Sequence, residues 1–375
     1  MPMQFSFTDE QEAFRLSVRR FMEDKSPTTE VRKLMATPEG YDPVVWQQMS
    51  QELGLTGIHI PERYGGQGFG FIELCMVMEE MGRAVFCAPY FSNVLAATAI
   101  LEAGTESQKQ TLLPALADGS RLATLATTEA PANWSAETTE TTAEQNDSGF
   151  RLNGSKTLVV DGHTADLLIV LARSPGTSGA YGLSLFTVAG DSVSRRLLNS
   201  LDETRKLAQI EFDNTSAELL GELHGAGTTM PRILDQAAVA LASESVGGAQ
   251  KMLDSALEYA QMRMQFGRPI GSFQAIKHKC ADLLLEVELA KSTAYYAASA
   301  VAENTQDLPA VASLAKACSC DTYMKAAQEC LQIHGGIGFT WENDTHLYFK
   351  RAKSSQVFLG DPNYHRDQLV LRWEA

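Results

Sequence analysis

Arg263, Gln265, Phe266, Gly267, Arg268 and Pro269 stand together where a long helical pattern ends, with Gln274 close behind. An arginine and side-chain amides beside a helix break supply directed donors for a pyrophosphate or a planar heterocycle. The same residues also read as an ordinary helix end, basic near the last carbonyls and closed by Gly and Pro. From Gln332 the run Gln-Ile-His-Gly-Gly-Ile-Gly sets Gly335 and Gly336 side by side, where bare N–H groups can meet an anion. It follows a helix and lacks both a preceding strand and a Gly-Lys-Ser/Thr ending, so it is neither a Walker nor a Rossmann loop. A plain helix-ending turn fits the spacing equally. Glu244 is the one acid in the apolar stretch AVALASESVGGA. Its offsets from Ala237 and Leu241 set it beside an inward stripe, where a buried carboxyl is a candidate general base; the alternative is a place on the solvated side of the helix. His334 has no second His or carboxylate at ligand spacing and no HExxH or Cys/His cluster occurs, so no metal site is expected. The absence of a Gly-x-Ser-x-Gly elbow removes that hydrolase chemistry.

These residues need elements to hold them. From Thr8 to about Leu122 the periodicity is helical: TDEQEAFRLSVRRFM opens on a Thr N-cap with an acidic first turn, and PVVWQQMSQEL and IELCMVMEEMGRAV repeat the apolar spacing. PERYGGQGFG between them reads as a sharp surface turn. After Arg121 the texture changes to Thr-rich and turn-rich sequence carrying short β-branched runs, KTLVVDG, ADLLIVLA, GLSLFTV and LAQIEFDN. These predict a small antiparallel barrel or sandwich over 123–224. Helices return with Ile233, Ala237, Leu241, Val246, Leu253 and Leu257 on one long buried face ending near Gly267, then over about 273–303 and 308–333, before a tight HGGIG turn, a segment running through FKRAKSSQVFLGD and a short basic tail. The expected organisation is multidomain α+β: a helical domain over 1–122, a β domain over 123–224 and a helical domain over 225–375, with the two helical parts packing together across the β insertion.

The chain has 375 residues, too many for one small module, and its 44% hydrophobic and 21% charged content suits a folded chain with a large core. A net charge of −15 repels phosphate backbones and anionic membranes, so neither nucleic acid nor a membrane is an expected partner. Six cysteines form no CxxC pair and no disulfide framework; Cys318 and Cys320, two apart on a helix, point to different faces. With no signal-like start and no long apolar window, a reduced, cytoplasmic protein is expected.

Taken together, FTDEQ near the N-terminus, PERYGGQG, the Arg-x-Gln-Phe-Gly-Arg-Pro-Ile-Gly-x-Phe-Gln run from Arg263 to Gln274, and QIHGGIGFT from Gln332 resemble the acyl-CoA dehydrogenases, in family order and along essentially the whole chain. The resemblance implies an N-terminal helical domain, a middle β-barrel and a C-terminal four-helix domain, assembled as a dimer or dimer of dimers with FAD between subunits. It implies that Arg263, Gln265, Phe266 and Gln274 contact FAD, with Arg263 on the pyrophosphate. Gln332, Gly335 and Gly336 would reach the FAD of the neighbouring subunit, and Thr128 would hydrogen-bond the flavin ring. The implied reaction removes two hydrogens from the α and β carbons of an acyl-CoA thioester: a carboxylate takes the α-proton, hydride goes to the flavin, and a backbone N–H helps hold the thioester oxygen. Electrons would leave to an electron-transfer flavoprotein or similar acceptor.

The sequence departs from the family where the base should be. The usual Tyr-Glu-Gly segment corresponds to Phe358-Leu359-Gly360, which keeps the backbone N–H and lacks the acid. The alternative base position on the long helix is Ala237, and the arginine beside it is Ala238. The tryptophan and threonine that pack the flavin correspond to Leu158 and Val160, and the Gly-Ser after the Thr-Glu-Pro turn becomes Asn133-Trp134. Loss of a general base typically costs a factor of roughly 10² to 10⁴ in rate. Two expectations follow: a dehydrogenase with a relocated base, for which Glu244 is the inward candidate, or a non-catalytic subunit that completes the FAD site of a related chain in a heteromeric enzyme for bulky, steroid-like acyl-CoA.

Overall fold

The protein is described by a computed structural model covering residues 7–147 and 149–373. Eleven helices of α type occur among the described residues. The first is α1 (Asp9–Lys25), whose N-cap Thr8 accepts from the Gln11 amide in a capping box, as its sequence predicts. There follow α2 (Thr28–Met35), α3 (Pro43–Gln47), α4 (Phe71–Ala84), α5 (Tyr90–Ala103) and α6 (Glu106–Ala117). PVVWQQMSQEL is helical over most of its length but changes pitch, the α3 turns giving way to a π-helical turn over Gln48–Glu52.

The β region holds β1 (Ala123–Ala126), β2 (Thr142–Asn146), β3 (Gly149–Val160), β4 (Leu167–Arg173), β5 (Leu183–Ala189), β6 (Ser194–Leu198) and β7 (Leu207–Leu220). Pairings β4–β2, β2–β3, β3–β7, β7–β5 and β5–β4 return to their starting strand, so five strands close into a barrel. β1 extends it beside β4 and β6 pairs with β7. Its interior is apolar, with Leu152, Leu168, Val170, Phe186, Val188, Ile210 and Phe212 in one core. The expectation of a wholly antiparallel arrangement needs correction: β1–β4 and β2–β4 are parallel. The unbroken apolar run of β4, buried at every position, is the pattern of a strand covered on both faces.

The C-terminal part has three long helices, α7 (Ala226–Met262), α8 (Gln274–Glu303) and α9 (Leu308–His334), with a short hairpin β8 (Met264–Gln265) and β9 (Arg268–Pro269) between the first two. The segment running through FKRAKSSQVFLGD is largely helical, as α10 (Thr345–Val357), and the short basic tail forms α11 (Pro362–Trp373). Residues 237–249 of α7 are buried on every side rather than along one stripe, whereas Leu257, placed on the buried face from sequence, is exposed.

The chain forms two compact units. One gathers the residues up to 32, 71–86 and those from 237 onward; the other gathers 33–70 and 87–236. In the helical unit α4 packs against both α1 and α8, so part of the N-terminal helical sequence does join the C-terminal helices. The approach of α4 to α7 is close enough to demand glycine from each helix. A Cβ on Gly82 would lie 1.9 Å from the Glu244 carbonyl oxygen, and one on Gly247 would lie 1.8 Å from that of Glu79. In the barrel unit the N-terminal turns are tied to α6: the Trp46 indole donates to the Gly119 carbonyl at 2.8 Å and the Thr56 hydroxyl to that of Ala117 at 2.7 Å.

All six cysteines are free thiols, with Cys320 buried and Cys318 half-buried as their spacing on α9 predicts. Among the described residues no helix is long and apolar enough to cross a membrane, and no group of three or more His, Cys, Asp or Glu is placed to hold a metal.

Candidate functional site

The end of α7 delivers Arg263 and Gln265 to an exposed hairpin, closed by hydrogen bonding of the Ile270 amide to the Arg263 carbonyl at 2.8 Å. Phe266 sits at its tip with a φ of 54° and is 91% exposed. An aromatic side chain held in left-handed backbone and left in solvent is costly on both counts, which marks a surface built to be covered. Among the described residues no carboxylate pairs with Arg263. Gln274, the first residue of α8, is exposed as well.

The end of α9 lies beside this hairpin's root, because His334 stacks on Tyr259 of α7 with ring centroids 4.2 Å apart. Gln332 and Gly336 are exposed, and a Cβ added at Gly335 or Gly336 would meet no atom within 4 Å. Ile337, Phe339 and Trp341 follow, all exposed. Two segments that the sequence separates widely therefore present a free guanidinium, side-chain amides, bare glycine backbone and uncovered apolar groups at neighbouring helix ends. That set suits a phosphate-bearing aromatic cofactor.

Thr128 belongs to the barrel unit, where it is buried just beyond β1. Its carbonyl accepts from the Thr157 amide at 2.8 Å. Register shifts between Lys156 and Val159, and Leu158 takes a φ of 53°, so β3 bulges where it passes Thr128. The arrangement is locked by Lys156, which is fully buried: its ammonium donates to Glu129 at 2.6 Å and to the Thr127 carbonyl at 3.1 Å. Glu129 also accepts from the Glu140 and Thr141 amides and the Thr141 hydroxyl. Burial pulls Lys156 down to about 8 even though Glu129 opposes it, while Lys156 and the Thr141 donors hold Glu129 below the usual carboxylate range against its own desolvation. Sequence reasoning passed over this pair because nothing in the isolated residues links 129 to 156.

Phe358, Leu359 and Gly360 form a turn between α10 and α11, all three buried. Leu359 has a φ of 59° and Gly360 a φ of 102°. Glu244 is buried too, but not as a free carboxylate: Arg351 of α10, itself buried, donates to it at 2.5 Å. Glu244, expected as the inward candidate for a base, is therefore one half of a buried ion pair. Ala237 and Ala238 are both buried on α7.

The sequence matches the N-terminal, middle and C-terminal domains of acyl-CoA dehydrogenase over residues 8–120, 124–215 and 224–372. The chain belongs to the acyl-CoA dehydrogenase family. It is 32% identical to acyl-CoA dehydrogenase IpdE2 of Mycobacterium tuberculosis over 354 residues, covering 94% of each chain. Among solved structures it resembles butyryl-CoA dehydrogenase from Megasphaera elsdenii, with a TM-score of 0.92, 27% identity and complete coverage of both chains. It also resembles a variant of the Tcur3481-Tcur3483 steroid ACAD, with a TM-score of 0.88, 30% identity and 98% of each chain covered. The helical, β-barrel and helical parts are those of the acyl-CoA dehydrogenase fold.

Two buried histidines in this family member give a pH signature. Burial pushes His59 down to about 4, and burial with Lys316 nearby does the same to His365. Both nitrogens of His59 are buried without a partner. A histidine neutral in the folded state and depressed below its unfolded value contributes stability above about pH 6.5 that is lost as pH falls towards 4, at most about 1.4 kcal/mol per pH unit each. Thermal melts between pH 7 and 4 are expected to show that decline, and His59→Phe to flatten it; an unchanged slope would remove His59 from the account.

Proposed function

We propose that this chain works within an FAD-dependent acyl-CoA dehydrogenase as a subunit that helps build the flavin site, paired with a related chain that carries the general base. The single observation behind this is the Glu244–Arg351 pair: positions 359 and 237 carry no acid, and the remaining inward candidate is engaged by a buried guanidinium. The unpaired Arg263, the exposed Gln265, Phe266, Gln274 and Gln332, and the open backbone at Gly335 and Gly336 suit the nucleotide half of FAD, and Thr128 at the β3 bulge suits the ring. Bound FAD would supply the hydride acceptor. Arg263 offsets pyrophosphate charge, and the glycine amides donate to an anion across a subunit contact.

The resemblance to a steroid ACAD that joins two named gene products supports both a heteromeric assembly and a bulky, steroid-like acyl-CoA. An electron-transfer flavoprotein or similar carrier would remove the electrons. A second reading, in which the chain engages its own thioester, is favoured by one feature. Among the described residues the Leu359 N–H has no acceptor, although Leu359 is a buried residue. Turnover would then need a carboxylate from outside positions 237, 244 and 359.

The test is purification of the chain alone and co-expressed with a related chain, followed by anaerobic addition of acyl-CoA thioesters. Bleaching of the flavin absorption by the pair, with at least about 10²-fold slower bleaching by the single chain, is expected. Full activity of the pure homo-oligomer would exclude the proposal.

A further inference from the structure

A turn with no base still has an unusual support. Lys316 of α9 is fully buried, and its ammonium donates to the Gly360 carbonyl at 2.9 Å and the Gln356 carbonyl at 3.2 Å. Among the described residues no carboxylate pairs with it. Burying an ammonium against carbonyl oxygens alone is expensive, and the compensation here is the C-terminal end of α10, where carbonyls are unspent and the helix dipole is negative. On the other side His365 of α11 bonds through Nε2 to the Leu359 carbonyl at 2.9 Å. A carbonyl only accepts, so Nε2 carries the proton, and Nδ1 is buried with no partner. Burial keeps this imidazole neutral near pH 7.

The clamp therefore takes the carbonyls of residues 359 and 360 and leaves their amides. Neither the Leu359 nor the Gly360 N–H finds an acceptor among the described residues, and both residues are buried. Amides without partners in a buried turn are uncommon, and Leu359 is additionally held in left-handed backbone. Strain, orphaned donors and a costly buried cation converge on one turn.

We propose that Lys316 and His365 are positioning residues that fix the 358–360 turn so that its free amide receives a thioester carbonyl oxygen, giving this chain a thioester site of its own despite its missing base. The inference rests on the acyl-CoA reading above and goes beyond it, because a subunit serving only a partner's flavin would need no such turn.

The experiment compares an acyl-CoA thioester with the matching S-alkyl-CoA thioether, which has no carbonyl, by titration calorimetry on the FAD-loaded protein in its native assembly. The wild type is expected to prefer the thioester about tenfold. His365→Leu and Lys316→Met are expected to abolish that preference while thioether affinity, flavin content and melting temperature stay close to wild type, and His365→Gln, which keeps a donor, to retain most of it. Folded variants that keep the full preference would overturn the clamp. A wild type with no preference would overturn it as well, yet partner-dependent bleaching would then leave the proposed function standing. Should Lys316→Met not fold, His365→Leu against His365→Gln decides the matter.

Discussion

Glu244→Ala is expected to lower the stability of the chain by about 3–5 kcal/mol, measured by urea or thermal unfolding, because it leaves the Arg351 guanidinium buried without its anion. Both side chains are almost wholly inaccessible, and they join the middle of α7 to α10. Replacing both partners with apolar residues of similar volume, Glu244→Leu with Arg351→Met, removes the two buried charges together and is expected to recover most of the loss. The pattern separates two roles. A structural pair predicts that the single variant is unstable and the double variant is stable, with the reconstituted enzyme still turning over. A Glu244→Ala chain as stable as wild type, whose assembly no longer bleaches its flavin, would make Glu244 a participant in the chemistry and defeat the assignment made here.

What the sequence disclosed and what it hid divide along one physical line. Elements came through where a local pattern decides them: the Thr8 capping box, α8 and α9 to within a residue or two, and β4 and β7 as strands. The residues proposed to meet the nucleotide, Arg263 to Gln274 and Gln332 to Gly336, stand out in the sequence because they are contiguous motifs at helix ends. The parallel neighbours of β4 were not, since pairing direction follows from where the chain returns rather than from strand composition. The Glu244–Arg351 pair was hidden because its partners are remote in sequence. Lys316 was invisible because a single lysine on a long helix reads as a solvated residue. Only its burial against the end of α10 gives it a purpose.

Leu359→Glu is expected to raise the rate at which the isolated, FAD-loaded chain bleaches its flavin with acyl-CoA by about 10²-fold or more, the lower part of what a positioned general base contributes. The reasoning is that everything else at this turn is already in place. Leu359 holds a φ of 59°, which an unbranched glutamate tolerates as well as leucine does, and Lys316 and His365 act on carbonyls that the substitution leaves untouched. The new carboxyl would be buried, which favours a proton affinity nearer neutrality than that of an exposed glutamate. Leu359→Gln matches the size and lacks the acid, so it should show no gain; equal rates for the two would attribute any effect to altered packing. Ala237→Glu places an acid at the other family position, on a fully buried stretch of α7, and provides an independent trial of the same site. If both acid variants load FAD, bind the thioester and remain as slow as wild type, then the turn does not hold a reactive acyl group at all, and this chain contributes to dehydrogenation solely through the flavin site of its neighbour.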